Sequence, residues 1–325
     1  MTRTSLLARA LCLLWLPALL TPLASLAERP SLQPETCSVE GLMDSIRRGL
    51  QSKSPAYRRY LRDLLKESAV TLPEEQLRAA FERETEPFMV EHLAAALAAK
   101  TDRGESPSTM QLVSKRALND ADPAVRAAAT RALRRTSAEE HTGDMYSRLV
   151  RDASAEVRNE AATNLIEDNR YVYAGFHGPA SDTAVAAAAA SSDSKVTGRI
   201  LGNISTAAIS AESARTLHSL LGHDSAEVRA GAATALGGVP ASEMAKARQA
   251  LGAMYRSETD VGVRTAILQS IARLGFSRAV PELQALRQVD TRLVPEVDAW
   301  IRALSTGLQE WSLLLREKQR LRQAH

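Results

Sequence analysis

The stretch DADPAVRAAATRAL, residues 120–133, places an aspartate six residues ahead of an arginine on an alanine-rich segment. Asp122 before Pro123 is a typical start of a helix, because the aspartate can cap free N–H groups and proline tolerates the first turn. Val125 and the small or apolar residues four and eight positions later then fall on one helix face. The stretch therefore predicts a capped amphipathic helix, and its Asp120–Arg126 pair is either a site or a structural element.

The same pattern recurs along the chain. Val-Arg pairs stand in register at four places: Val125-Arg126, Val157-Arg158, Val228-Arg229 and Val263-Arg264. Weaker copies are anchored at Tyr57, Met89, Val196 and Val297, and Thr197 replaces the arginine in one of them. Successive anchors lie 32 to 39 residues apart. This spacing indicates an internal repeat.

Each repeat predicts a pair of helices, because another helical pattern and a short Asp/Ser/Pro-rich turn precede every anchor. One pair cannot bury its apolar face alone, so neighbouring pairs must stack. The fold class predicted is all-α, an α-solenoid of about eight helical hairpins over residues 41–306, with a capping helix over residues 307–325.

The Asp-x-x-x-x-Val-Arg pattern, from Asp120 to Arg126 and from Asp152 to Arg158, resembles a HEAT repeat, closest to the short bacterial type called HEAT-like or bilin-lyase-like. The resemblance covers roughly residues 41–306. It implies a right-handed superhelix whose first helices line the convex side and whose anchor helices line the concave side. Nothing beyond the shared repeat supports bilin-lyase activity.

The repeated charges are interpreted as a structural ladder, since a pair present in several units is not a single active site. In such arrays the turn aspartate and the anchor arginine resemble ties between one repeat and the next. The ladder residues are Asp120, Arg126, Asp152, Arg158, Arg229 and Arg264.

The N-terminus predicts a secretory signal peptide over residues 1–27, followed by a short segment over residues 28–40. Arg3 and Arg9 precede an apolar run over 11–23, which ends in small residues before Glu28. An uncleaved membrane anchor is the alternative, although the run is shorter than the roughly 20 residues that span a bilayer. Cleavage would leave no stable membrane span and would place the protein in the periplasm or outside the cell.

Cysteine content and charge limit the partners. Removing the signal removes Cys12 and leaves Cys37, which could pair between two molecules to form a dimer. Removing Arg3 and Arg9 also leaves 39 basic and 38 acidic residues, a net charge of +1. No nucleic-acid partner is therefore expected, because such binders carry a basic footprint.

No catalytic motif is found, and no cofactor or metal is expected. The sequence has no zinc-type His-Glu-x-x-His pair, cysteine cluster, phosphate-binding loop or nucleophile elbow. His218 and His223 are five residues apart across a turn, and a metal site there is the minor interpretation.

The longest interval between anchors contains an aromatic insertion over residues 169–182. Four of its residues are candidate binding residues: Tyr171, Tyr173, Phe176 and His177. Insertions in solenoids map to loops, often on binding surfaces. The alternative is that these rings fill a gap between two imperfectly packed repeats.

Two other segments are candidates. Arg131 and Arg134 fall off the buried stripe of their helix, so they should face solvent, either to attract an acidic partner or as a solvated face. The last helix carries an apolar stripe with Leu308, Trp311 and Leu315 beside basic residues. It is interpreted as a cap, with a membrane-surface helix as the alternative.

These patterns favour an exported, non-catalytic scaffold or adaptor of bacterial type. It would bind a protein partner through the concave face or through the insertion over 169–182. A small-ligand-binding protein or enzyme with a pocket at that insertion is the alternative, and a purely structural envelope component is a third.

Overall fold

A computed structural model describes residues 39–102, 108–134, 138–171, 179–204 and 209–323 of the 325-residue chain. The signal peptide, Cys12, Cys37 and most of the segment over 28–40 lie outside these ranges. Within them the chain forms α-helices, two short 3₁₀ turns and no strand.

The helices pair into eight hairpins over the described ranges, as the repeat predicts. The first helices of the hairpins are α1 (Val39–Leu50), α3 (Glu74–Arg83), α5 (Ser108–Asn119), α7 (Ala138–Leu149), α9 (Pro179–Ala190), α11 (Ala211–Leu220), α13 (Met244–Ser257) and α15 (Val280–Leu286). The second helices are α2 (Pro55–Thr71), α4 (Pro87–Asp102), α6 (Pro123–Ala132), α8 (Ala155–Tyr171), α10 (Ser194–Leu201), α12 (Ala226–Leu236), α14 (Val261–Gly275) and α16 (Val294–Leu304). A last helix, α17, spans Trp311–Gln323.

The hairpins stack into two layers. Each second helix packs against the next one along the chain, from α2 to α16, and several first helices pack in the same way. The core lies between the layers. This arrangement confirms the predicted all-α solenoid. The handedness and the curvature of the superhelix stay predictions.

The helix starts follow from local capping. The Asp122 side chain accepts a hydrogen bond from the N–H of Ala124, and Pro123 opens α6. Asp193 and Asp260 cap α10 and α14 in the same way. These caps satisfy N–H groups that have no partner inside the helix.

The anchor residues form the core between the layers. Six of them are at most 3% exposed: Met89, Val125, Val157, Val196, Val228 and Val263. Val297 is fully buried as well. Tyr57 is only half-buried.

The aromatic insertion has narrower bounds than residues 169–182. Helix α8 continues to Tyr171 and α9 begins at Pro179, so both ends of the predicted loop are helical. Asn169 is 1% exposed and donates to the Ser181 hydroxyl at 3.1 Å. Part of the long interval therefore extends the second helix, and this buried hydrogen bond joins the added turn to α9.

Helix α17 packs along α16 at the end of the array. Trp311 stacks on buried Trp300, with ring centroids 5.5 Å apart. Leu314 is fully buried, and the Lys318 ammonium pairs with buried Glu296. The apolar stripe of α17 thus faces the preceding helix. No helix in the described ranges is long and apolar enough to cross a membrane.

Candidate protein-binding face

The ladder arginines lie at the edge of the second helices, where each helix follows its turn. Arg126 donates from Nε and Nη2 to the two carboxylate oxygens of Asp152, both at 2.8 Å. Its Nη1 donates to the carbonyl of Asp120, also at 2.8 Å. One guanidinium therefore ties the turn of its own hairpin to the turn of the next.

The other ladder residues vary this theme. Arg158 pairs with Asp193, the capping residue of α10, at 3.0 Å. Arg264 pairs with buried Asp290 at 2.6 Å. Asp120 itself pairs with Arg116 of its own hairpin, because position 90 of the preceding hairpin carries valine and no arginine. The ladder is therefore built from several local solutions.

Glu258 takes the aspartate position for Arg229. The Arg229 guanidinium donates to both carboxylate oxygens at 2.7 and 3.0 Å. Those hydrogen bonds, helped by the backbone N–H groups of Thr259 and Asp260, outweigh burial and lower the pKa of Glu258 to about 2. For Asp152, burial would raise the pKa, but hydrogen bonds from Arg126 and Ser154 more than offset it.

The ladder changes character between α10 and α12. Thr197 replaces the arginine and is buried, with its hydroxyl donating to the carbonyl of Ala188 at 3.1 Å. His223 takes the position of the aspartate, and its Nδ1 accepts from the N–H of Ser225 at 3.0 Å. Threonine and histidine thus replace the arginine and the aspartate of this ladder pair. The exchange at His223 is visible in the sequence as a histidine six residues before Arg229.

Direct helix contact takes the place of the missing pair. A Cβ atom on Gly198 would lie 2.7 Å from the carbonyl oxygen of Glu227, and one on Gly231 would lie 2.9 Å from the carbonyl oxygen of Gly198. These distances are too short for any side chain. Glycine at both positions therefore lets α10 and α12 touch through their backbones.

A network of ion pairs crosses the second helices α4, α6 and α8 on their partly exposed side. Arg131 pairs with Glu91 at 2.8 Å and with Glu160 at 2.9 Å, and Glu160 also receives Arg134 at 2.9 Å. Arg134 donates from Nε to buried Asn164. Burial would lower the pKa of Arg131, but its two carboxylate partners raise it above the ordinary value.

The sequence suggested that these two arginines face solvent without partners. The structure instead pairs both with side chains of the same chain. Both are about two-thirds buried, with 32% and 30% of their side chains exposed. The two carboxylates that pair with Arg131 lie 29 and 40 residues away in the sequence. The sequence period alone does not predict that they meet this arginine. The two arginines link α6 to its neighbouring second helices, and carboxylates of the same chain compensate their positive charge.

The surface continues from α8 to α14 with a different composition. Arg199 of α10 is exposed and reaches the Thr163 hydroxyl of α8 at 2.9 Å. Beyond it, α12 and α14 present small or uncharged side chains at equivalent places, including Ala230, Thr234, Thr265, Ala266 and Gln269. We call this surface over α4 to α14 the second-helix face. It combines a charged part, in which the side chains form ion pairs with one another, with a smooth part that carries small or uncharged side chains.

Three aromatic-insertion candidates, Tyr173, Phe176 and His177, lie outside the described residues. For Tyr171 the structure gives only its place as the last residue of α8. The proposed role of this insertion stays a prediction.

No group of three or more metal-ligating side chains occurs within the described ranges. The His218 ring carries a buried Nε2 atom without a hydrogen bond, whereas His223 bonds the backbone in its turn. Burial, followed by the nearby Lys246 charge, lowers the pKa of His218. Neutral imidazole is the form that this environment favours.

Comparison with known families agrees with the repeat. A family model for HEAT repeats matches residues 181–272 and 214–305. The chain is an α-solenoid of helical hairpins. More particularly, residues 181–305, in its C-terminal half, match HEAT repeats.

Several solved structures are similar to the chain at low sequence identity and with TM-scores below 0.5. The Escherichia coli protein YibA is 14% identical, with 86% of this chain and 91% of that chain covered and a TM-score of 0.42. An engineered protein is 18% identical, with coverage of 85% and 82% and a TM-score of 0.39. A designed armadillo repeat protein in complex with a (KR)4 peptide is 14% identical, with coverage of 85% and 98% and a TM-score of 0.26.

No curated protein matches the chain significantly.

Proposed function

We propose that this protein is an exported, non-catalytic scaffold that holds a protein partner on its second-helix face. The observation that carries the proposal is the continuity of that face. The six second helices of the face, from α4 to α14, pack side by side, each on the next. Packed helices lie about 8–10 Å apart, so the face extends over several tens of ångströms, enough for a protein interface of ordinary size.

The composition of the face also supports binding of a protein. Its charged part is already neutralised by internal pairs such as Arg131–Glu160, so covering it costs less than covering unpaired charges would. Its smooth part carries short side chains, which lose little conformational entropy when covered. An exposed arginine, Arg199, lies between the two parts, and arginine is over-represented among residues that dominate binding energy.

A charge reversal on this face is expected to abolish capture of the partner. Arg199→Glu places a negative charge at the centre of the face and should lower recovery of the partner about tenfold or more. The matched control is Arg215→Glu, the same change at an exposed residue of the first helix α11, which should leave recovery unchanged. Both variants should keep the helical circular dichroism of the natural chain.

The measurement is affinity capture of each tagged variant from an envelope extract of the source organism, with quantitative mass spectrometry. A set of proteins retained by the natural chain and by Arg215→Glu, but lost by Arg199→Glu, supports the proposal. Identical recovery by all three chains would contradict a role for the second-helix face.

Export is the second part of the proposal, and it rests on the sequence over residues 1–27. N-terminal sequencing of the chain purified from its own organism is expected to begin at Glu28. Finding Met1 or Thr2 at the start would contradict cleavage of the leader.

A further inference from the structure

The N-terminal hairpin carries an unusually basic run around the turn between α1 and α2. Five described basic side chains lie in this run: Arg47, Arg48, Lys53, Arg58 and Arg59. No acidic residue occurs over residues 45–62. Positive charge is therefore concentrated at one end of an array whose whole chain is close to neutral.

The fold uses only some of these charges. Arg47 pairs with Asp44 and with buried Glu84. Arg58 occupies the ladder position and donates to the carbonyl of Ser52 at 2.7 Å. Lys53 and Arg59 are exposed, and within the described ranges neither forms an ion pair or a hydrogen bond.

Two tyrosines lie in the same stretch of the sequence as Lys53 and Arg59. Tyr60 is 53% exposed, the highest value for a large apolar or aromatic side chain among the described residues. Its ring stacks on that of Tyr57, with centroids 6.4 Å apart and planes 19° apart. Tyr57 in turn rests on Gly49 at the end of α1, where a Cβ atom would lie 3.2 Å from its ring. The exposed ring is thus held in a defined position.

The repeat does not need an exposed tyrosine at this place. The residue three positions after the anchor varies among the later second helices. Ala128 and Gly231 are small and buried, whereas Arg199 is exposed. Tyr60 is therefore not explained by the packing that the other repeats share. Tyrosine and arginine are two of the residue types enriched at binding hot spots.

We propose that Lys53, Tyr57, Arg59 and Tyr60 form a docking patch for an acidic segment of a protein partner. Carboxylates of the segment would pair with Lys53 and Arg59, and the tyrosine hydroxyls would donate to carboxylate or backbone oxygens. The patch lies on a different hairpin from Arg199, so it adds a second point of contact. The inference rests on the proposed function only in taking the partner to be a protein.

An anionic membrane is the competing partner, and the side chains favour the acidic segment. Membrane-surface binding grows with the apolar area that enters the bilayer. Tyr60 is the sole large apolar or aromatic side chain of the described part of α1 and α2 that is more than about one-third exposed. Charge and a positioned ring fit a peptide better than a lipid surface.

The test uses the full chain, expressed with its own N-terminus and purified in the form that the host produces. The probe is a fluorescein-labelled peptide of alternating Asp and Glu, with a Gly-Ser peptide of equal length as the neutral control. Fluorescence anisotropy should show binding of the acidic peptide alone. Raising NaCl from about 50 to about 300 mM should weaken this binding roughly tenfold, because the charges are exposed.

Variants then locate the binding. The double variant Lys53→Glu/Arg59→Glu should weaken peptide binding at least about tenfold, and Tyr60→Ala about threefold. Arg215→Glu on α11 should leave it unchanged. All of these positions are exposed, so circular dichroism should match the natural chain.

Three outcomes would overturn the inference. They are no peptide binding by the natural chain, equal losses in Arg215→Glu and the Lys53/Arg59 variant, or binding of phosphatidylglycerol vesicles, but not the peptide, through Lys53 and Arg59. Loss of capture in Arg199→Glu with peptide binding intact would leave both proposals standing. Normal capture in Arg199→Glu with peptide binding intact would remove only the second-helix face.

Discussion

Gly198→Ala is expected to destabilise the array by about 2 kcal/mol, although alanine is the better helix former. Alanine in a helix interior ordinarily gains up to about 1 kcal/mol over glycine. At this position the new Cβ atom would lie 2.7 Å from the carbonyl oxygen of Glu227, a backbone atom that cannot rotate away. Overpacking of this kind costs roughly 1–3 kcal/mol and forces α10 and α12 apart.

The matched control is Gly252→Ala in α13. The nearest atom to a Cβ there is Nη1 of Arg256 at 4.0 Å, the end of a flexible side chain. This variant should therefore gain the full propensity benefit, up to about 1 kcal/mol. The measurement is the urea midpoint followed by circular dichroism. If both variants shift the midpoint upward by the same amount, the glycine contact does not hold α10 against α12.

This prediction concerns a contact that the sequence did not reveal. The repeat period predicted the eight hairpins correctly because the Val-Arg register is a local pattern, and every anchor helix formed where the pattern placed it. Thr197 was visible as an exception in the same alignment. The backbone contact between Gly198 and Gly231 was not visible, because it depends on how closely the two helices approach.

The ion pairs of the second-helix face could likewise be predicted from the sequence only in part. The sequence places Arg131 on the side of α6 away from the core, and the structure agrees that it is not in the core. Its two carboxylate partners come from the helices before and after α6, at Glu91 and Glu160. Which side chains meet across helices depends on the stacking angle, and a period of 32 to 39 residues does not fix that angle.

Glu258→Gln is expected to lower the free energy of unfolding at neutral pH by about 2 kcal/mol. The Glu258 side chain is 4% exposed and pairs with Arg229, which is 20% exposed. Removing one charge of a buried pair leaves the other without compensation, at a cost of about 3–5 kcal/mol when both are fully buried. Partial exposure of Arg229 and the remaining amide oxygen reduce that cost.

The effect should depend on pH in a defined direction. The folded chain holds the pKa of Glu258 at about 2, below its ordinary value of 4.5. A carboxylate with a lowered pKa contributes stability that is fully present above the unfolded value and is lost as pH falls toward the folded value. The natural chain should therefore lose its advantage over Glu258→Gln between about pH 4.5 and pH 2.

Urea unfolding of both chains at several pH values across this window tests the prediction. Asp298→Asn serves as the control, since Asp298 forms its ion pair with Arg287 in a more exposed place, where 35% and 40% of the two side chains are exposed. Solvent screens such a pair, so its loss should shift the midpoint much less than the loss of Glu258. If Glu258→Gln were as destabilising at pH 3 as at pH 7, the role of Glu258 would lie in shape and capping. Its charge would then not be what joins α12 to α14.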